Sequence, residues 1–219
     1  MTISSGERSA RGFTLVELIV VIAILGILVG TAVPLFVKLQ DHRKIGEVRA
    51  ELAEITHALD AYYYDQGRFP SALGATGFFA VYLQPGVQGT AIQDSWSGKG
   101  SYLYRLSANP DRALVWSRGP NGRDDSGTAD DIVVTVHGSP PGYRKTRERM
   151  RVITEQLANF LESGGSITGI WSQDRINLGL GAAYDKDGFG TPFQLDAATL
   201  DLRSAGADKK FLTADDLGS

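Results

Sequence analysis

Arg11-Gly12-Phe13-Thr14-Leu15-Val16-Glu17-Leu18 opens an apolar run interrupted by one acid, and the reading of the chain works outward from it. From Leu18 to Val37 no residue carries a charge. About twenty residues at a helical rise of 1.5 Å extend ~30 Å, the thickness of a bilayer core. The chain therefore reads as entering a membrane at its start, with a remainder of soluble character. A secretory signal places its small-residue cleavage site after the apolar core. Here Gly12 precedes the run, and the run is longer than such a core. An ionised carboxylate inside a spanning helix costs on the order of 3 kcal/mol, less near an end, so Glu17 needs a partner. Pro34 lacks an amide hydrogen and is expected to kink or locally open the helix. Arg8 and Arg11 precede the run while Lys38, Arg43 and Lys44 follow it, so charge alone sets no orientation.

The coincidence of a short leader, Gly12, Phe13, Glu17 and a long apolar segment resembles the class III leader of type IV pilins and pseudopilins, whose signature is Gly-Phe-Thr-Leu-x-Glu. The resemblance implies that a prepilin peptidase cuts between Gly12 and Phe13, removes residues 1–12 and methylates the new amine of Phe13. It also implies that Glu17 attracts the Phe13 amine of a neighbouring subunit and so sets the register of a filament. Neutralisation of Glu17 by its own new terminus is the plainer alternative, and a signal anchor with an incidental acid is plainer still. N-in, C-out orientation in a bacterial inner membrane follows from the resemblance.

Composition bounds the rest. The 219 residues are 42% hydrophobic, enough for one or two small globular units beyond the apolar run. A net charge of -3 gives no nucleic-acid footprint. There are no cysteines, although small domains outside the cytoplasm are commonly stapled by disulfides. Type IV pilins commonly close a C-terminal loop that way, so the absence favours a pseudopilin over a major pilin.

Beyond the run, Ile45, Val48, Leu52, Ile55, Leu59 and Tyr62 recur at steps of three and four, the stripe of a helix over 44–66. Gly67 is the expected stop, followed by Pro70. Together with the apolar run this predicts one bent rod of ~80 Å from Phe13 to Gln66. Tyr62, Tyr63 and Tyr64 are expected to pack rather than to bind a ligand. Strands are expected at 102–106, 113–116 and 132–136, then a linker at Gly138-Ser139-Pro140-Pro141-Gly142. A second amphipathic helix is expected over 144–162, with Met150, Ile153, Leu157, Phe160 and Leu161 on one face. Gly-rich sequence follows, with strands expected at 191–195 and 200–203.

The two halves share an order of blocks. Asp94-Ser95-Trp96, Ser117-Arg118-Gly119-Pro120-Asn121-Gly122 and Thr128-Ala129-Asp130-Asp131 are followed later by Asp187-Gly188-Phe189, Ser204-Ala205-Gly206-Ala207-Asp208 and Thr213-Ala214-Asp215-Asp216. Each series follows an amphipathic helix, so duplication of a helix-plus-sheet unit is the simplest account. The repeated block resembles the C-terminal loop of the major pseudopilin of type II secretion, where Ser-x-Gly-x-Asp-Gly and Ser/Thr-x-Asp-Asp wrap calcium. That resemblance implies calcium ligands at Ala205 (carbonyl), Asp208, Thr213, Asp215 and Asp216 in the second loop. In the first loop it points to Arg118, Asn121, Thr128, Asp130 and Asp131. The first loop departs by carrying Asn121 in place of an acid and by two extra residues before Thr128, where Asp124 and Asp125 add charge. Hard oxygen donors suit calcium, which takes six to eight of them. A solvated turn whose aspartates cap backbone amides is the metal-free alternative.

Enzyme chemistry finds no foothold. His42, His57 and His137 are scattered, no serine stands in a nucleophile elbow, and no phosphate loop follows a strand. Trp96, Trp116 and Trp171 are expected in cores rather than on a sugar platform. The expected architecture is α+β: a leader at 1–12, a transmembrane and filament-core helix at 13–37, and a pseudopilin-like domain with a small antiparallel sheet at 38–137. A linker at 138–143 and a second helix-plus-sheet repeat at 144–219 complete it. The expected function is a structural subunit of a type II secretion pseudopilus in the periplasm, polymerising with copies of itself. Its further expected partners are prepilin peptidase, an inner-membrane assembly platform and minor pseudopilins. A type IV pilus subunit and a non-polymerising, membrane-anchored calcium module are the alternatives.

Overall fold

The structure is a computed structural model that describes residues 14–83, 92–96, 98, 100–108 and 111–218. It divides into two compact units, residues 1–45 and 46–219. Helix α1 (Leu15–Gln66, 52 residues) contributes to both. In the first unit the apolar side chains from Leu15 to Val29 are exposed, Ile27 by 68%. Among the described residues no helix is long and apolar enough to cross a membrane. The apolar run has its side chains described without a gap only over 15–30, short of a bilayer core. The backbone stays helical through Pro34, which corrects the expected local opening. A proline deletes one hydrogen bond of the ladder without ending the helix here.

The second unit condenses on the other part of α1. Val48, Leu52, Ile55 and Leu59 are fully buried at steps of four, three and four, as the stripe predicts. The stripe then continues through Tyr63, also fully buried, rather than Tyr62. Tyr62 instead lies edge-on to Phe78 (5.5 Å) and Tyr82 (5.2 Å), beside the short helix α2 (Thr76–Phe79). Gly67 ends α1 at φ +67°, its N–H donating to the Tyr63 carbonyl at 2.8 Å.

Strands β1 (Leu103–Ala108), β2 (Asp111–Ser117) and β3 (Ile132–His137) form an antiparallel sheet in that order. Ala113, Val115 and Val136 join the α1 stripe in one core with Tyr102, Phe69, Phe78 and Phe189. The Tyr63 hydroxyl donates to Asp111 at the start of β2 (2.8 Å), and that of Tyr104 to the Pro70 carbonyl (2.8 Å). Burial, reinforced by Asp111, pushes the Tyr63 phenol far above its ordinary pKa.

The segment expected as a linker is helical. Helix α3 runs over Ser139–Glu162, so 138–143 supplies its cap and first turn. Prolines are tolerated there because the first N–H groups of a helix have no intrahelical acceptor. Gly138 is the N-cap and has no room for a side chain: a Cβ there would lie 2.3 Å from the Tyr63 ring. Met150, Ile153 and Leu157 form a second core with Trp171, Phe193, Leu195 and Leu202. A second antiparallel sheet contains β4 (Gln194–Leu195), β5 (Leu202–Ser204) and β6 (Leu217–Gly218), the last not foreseen from the sequence. Helix α4 (Trp171–Asn177) was not foreseen either. Its buried Asp174 accepts from Thr168 N–H, Thr168 Oγ1 and Gly169 N–H, each at 2.8 Å, folding the preceding loop onto the helix.

Helix α3 is bound to the end of α1 by polar contacts. Arg144 pairs with Asp60 (3.2 Å) and lies 4.9 Å over the Tyr64 ring. Lys145 donates to the Tyr64 and Asp65 carbonyls, groups that the end of a helix leaves without intrahelical donors. The loop at 187–190 closes on the first turn of α3 so tightly that a Cβ on Gly188 would sit 2.0 Å from the Gly142 carbonyl oxygen. Both sides of that contact are backbone, so neither can swing away. Gly188→Ala is expected to cost ~3 kcal/mol in a denaturant melt. Gly77→Ala, with nothing within 4 Å of its Cβ, is expected to leave the midpoint unchanged or raised.

Candidate functional site

Gly12 and Phe13, the expected processing residues, lie outside the described residues. The description starts at Thr14, and the geometry there assigns Glu17 a role that the sequence reading missed. Glu17 N–H donates to Thr14 Oγ1 (3.2 Å), while Glu17 Oε2 accepts from the Thr14 N–H (2.9 Å) and from its hydroxyl (2.9 Å). This is a reciprocal capping box, and its signal was the Thr-x-x-Glu spacing itself. The Glu17 carboxylate thus has two donors within its own subunit.

The two acidic loops are built on matching hydrogen bonds. In the first, Asp94 is buried and accepts from Ser117 Oγ (2.6 Å), Trp96 N–H (3.1 Å) and Arg118 N–H (2.8 Å). In the second, buried Asp187 accepts from Ser204 Oγ (2.6 Å), Phe189 N–H (2.9 Å) and Thr191 N–H (2.9 Å). Ser117 and Ser204 in turn accept from Gly119 N–H and Gly206 N–H, both at 3.2 Å. Asp130 accepts the Asn121 N–H at 2.8 Å, and Asp215 the Asp208 N–H at 2.9 Å. Asp131 accepts from Gly127 N–H (2.8 Å) and Asp216 from Leu212 N–H (2.7 Å). Gly119 (φ +60°) and Gly206 (φ +64°) are obligatory: a Cβ would lie 2.1 Å from the Asp130 carbonyl oxygen and 2.3 Å from that of Asp215.

The structure therefore brings each expected residue set into its loop, but with the acids turned onto loop donors. Among the described residues no group of three or more His, Cys, Asp or Glu side chains is gathered as a metal would require. In the second loop Thr213 Oγ1 lies 2.7 Å from Asp215 Oδ1 and 3.2 Å from Asp216 Oδ1, and Ala205 is fully buried. Asp208, Thr213, Asp215 and Asp216 offer only oxygen from their side chains, the chemistry a hard cation requires. The first loop differs. Asn121 Nδ2 donates to Asp125 Oδ2 (2.8 Å) and to Asp130 Oδ1, so a nitrogen donor stands among the acids. Thr128 Oγ1 turns to the Asp125 carbonyl (2.6 Å), and Asp131 Oδ1 is buried without a hydrogen bond. Arg118 donates its N–H to Asp94 and its guanidinium to the Ser101 carbonyl (3.0 Å).

The electrostatics follow burial and donors. Burial raises the Asp187 carboxyl above its usual range, against the pull of Ser204, Thr191 and Phe189. Burial also acts to raise Asp215, but Thr213 and the Asp208 and Ala207 N–H groups outweigh it and hold the carboxyl low. Asp124 is lowered first by the Ser126 N–H and next by the Trp116 indole, whose Nε1 donates to Asp124 Oδ1 at 3.1 Å. His42, His57 and His137 are exposed; Trp171 is buried in the second core and Trp96 packs half-buried against the first, whereas Trp116 is buried outside both, with Arg105 5.6 Å over its ring.

An acid held below its unfolded pKa contributes stability above that unfolded value and loses it as pH falls through the folded one. Trp116 fluorescence is therefore expected to hold steady down to about pH 4 and to change below it as Asp124 takes up a proton. Asp124→Asn should remove that step. A step unaltered in the variant would assign it to another group.

The prokaryotic N-terminal methylation motif matches residues 8–33. Type II secretion system core protein G of Klebsiella michiganensis is 34% identical over 138 residues, covering 93% of that protein and 58% of this chain. The Pseudomonas aeruginosa protein of the same name is 34% identical over 104 residues, 70% of its length and 48% of this chain. Type IV major pilin protein PilA of Myxococcus xanthus is 35% identical over 78 residues, 36% of each chain. No solved structure matches the chain. These relatives are filament-type proteins rather than enzymes. With a third of its residues identical to core protein G across nearly that protein's whole length, and a methylation motif over 8–33, this chain belongs to the type II secretion system core protein G family, within the type IV pilin and pseudopilin superfamily.

Proposed function

We infer that the chain is a structural subunit of a pseudopilus, and the observation that carries this is its identity with core protein G together with the methylation motif. The motif supports processing by a prepilin peptidase, and this reading puts the cut between Gly12 and Phe13. The exposed apolar side chains of residues 15–29 support a membrane-held form before assembly and a helical filament core of many copies afterwards. In this reading the subunit sits in the bacterial inner membrane with its C-terminal part in the periplasm. It works with an assembly platform and minor pseudopilins. The Glu17 carboxylate, oriented by Thr14, faces the Phe13 amine of a neighbour as the chain packs into the filament.

The matching hydrogen bonds around Asp94 and Asp187 support a duplicated helix-plus-sheet unit over the second half of the chain. Calcium in the second loop belongs to the same proposal. Ala205 through its carbonyl, with Asp208, Thr213, Asp215 and Asp216, would hold it, and the ion would supply positive charge to a loop without disulfides. Binding only to the folded loop would stabilise it by mass action. The likeness to a type IV major pilin supports a second reading, a surface pilus subunit.

Mass spectrometry of the native protein is expected to find a chain starting at methylated Phe13. A retained leader would sink the filament reading. Glu17→Ala is expected to abolish filaments while the subunit still accumulates in the membrane. Filaments of normal yield from that variant would overturn the role given to Glu17, and a wild type that forms none would leave a simple anchor. In a deletion strain, loss of protein secretion with intact surface pili favours the pseudopilus, and the reverse favours the pilus.

A further inference from the structure

The two acidic loops share a framework but differ at one side chain, Asn121 in the first and Asp208 in the second. We propose that the Asn121 amide does in the first loop what a bound cation would otherwise have to do, so that this loop closes without metal. The proposal uses the calcium reading of the second loop only for contrast.

Asn121 is held from both ends. Its Oδ1 accepts the Arg123 N–H at 2.6 Å, which fixes which end of the amide is which. Its Nδ2 then points at two acids, donating to Asp125 Oδ2 at 2.8 Å and to Asp130 Oδ1. Its main-chain N–H takes the other Asp130 oxygen at 2.8 Å. One residue thus satisfies both oxygens of Asp130 and one of Asp125. Asp131 Oδ2 is occupied by the Asp125 and Gly127 N–H groups at 3.1 and 2.8 Å.

A cation entering here would meet amide hydrogens instead of lone pairs. To turn Oδ1 toward it, the amide would have to give up the Arg123 N–H and both carboxylates. Among the buried side-chain oxygens of the described residues, Asp131 Oδ1 is the one left without a hydrogen bond. One oxygen does not make the six to eight that calcium takes. In the second loop Asp208 makes the same main-chain bond to Asp215 but brings a carboxylate with no hydrogen to donate. Three acids there, Asp208, Asp215 and Asp216, have no side-chain amide between them. Of that loop's own cations, Lys209 is turned away to Asp111 at 3.0 Å.

The test is calcium binding by equilibrium dialysis on the full chain in detergent, with melting followed by circular dichroism. Asn121→Asp is expected to bind one calcium per chain more than the wild type, and its melting to become sensitive to chelator. Asn121→Ser, which removes the donor without adding charge, is expected to bind no more than the wild type. It should melt about 3–6 °C lower with calcium and with chelator alike. An equal count in the wild type and Asn121→Asp overturns the proposal. If Asn121→Asp does not fold, Asp131→Asn in the wild type decides: an unchanged calcium count supports the proposal, and loss of one bound calcium overturns it. Because counts are compared between variants, a wild type that binds none sinks only the second-loop reading.

Discussion

The first core after residue 46 depends on one stripe of α1. Val48, Leu52, Ile55, Leu59 and Tyr63 present a continuous apolar face with no water left against it. Each aliphatic side chain buried there contributes roughly 1.5–3 kcal/mol against leaving it exposed. The sheet β1–β3 supplies the opposite wall, and Tyr63 joins burial to polarity by donating to Asp111. Asp111 also pairs with Lys209 at 3.0 Å, so the stripe is linked through one carboxylate to the second acidic loop. Phe189, from the far end of the chain, completes the same core.

The second recurring constraint is a buried aspartate that organises a turn. Burying a carboxylate is costly unless its oxygens find donors. Asp94 and Asp187 each find a serine hydroxyl and two backbone N–H groups, with the serine at the end of a sheet strand. Each node pins its acidic loop to a sheet. The loops then diverge. Asn121 brings an amide donor among the acids of the first, while Asp208 brings a further carboxylate to the second. A pseudopilus subunit without cysteines holds its surface loops by such means.

At the other end of the molecule the same economy appears in Thr14 and Glu17. Thr-x-x-Glu is a helix start signal in any protein, and here it falls in the segment expected to meet a neighbouring subunit. The carboxylate is oriented within its own chain before a neighbour arrives. An acid expected to meet an amine, a neighbour's or its own, therefore also caps its own helix.

The sequence by itself determined the membership of the family, the extent of α1, the strands of the first sheet and the blocks of the acidic loops. These are local signals: an apolar run, a 3–4 stripe, alternation, and glycines at positive φ. It misread 138–143 as a linker because two prolines look like a breaker until their place in a first turn is known. It missed α4 because that helix is set by Asp174 folding a loop back onto it. Only the tertiary structure decided that Tyr63 rather than Tyr62 is buried, and that Phe189 crosses into the first core. It also decided that Asn121 turns its nitrogen, not its oxygen, toward the acids. Each of those outcomes depends on which groups meet across long stretches of chain or on which hydrogen bond fixes a side chain, and neither is written in local residue order.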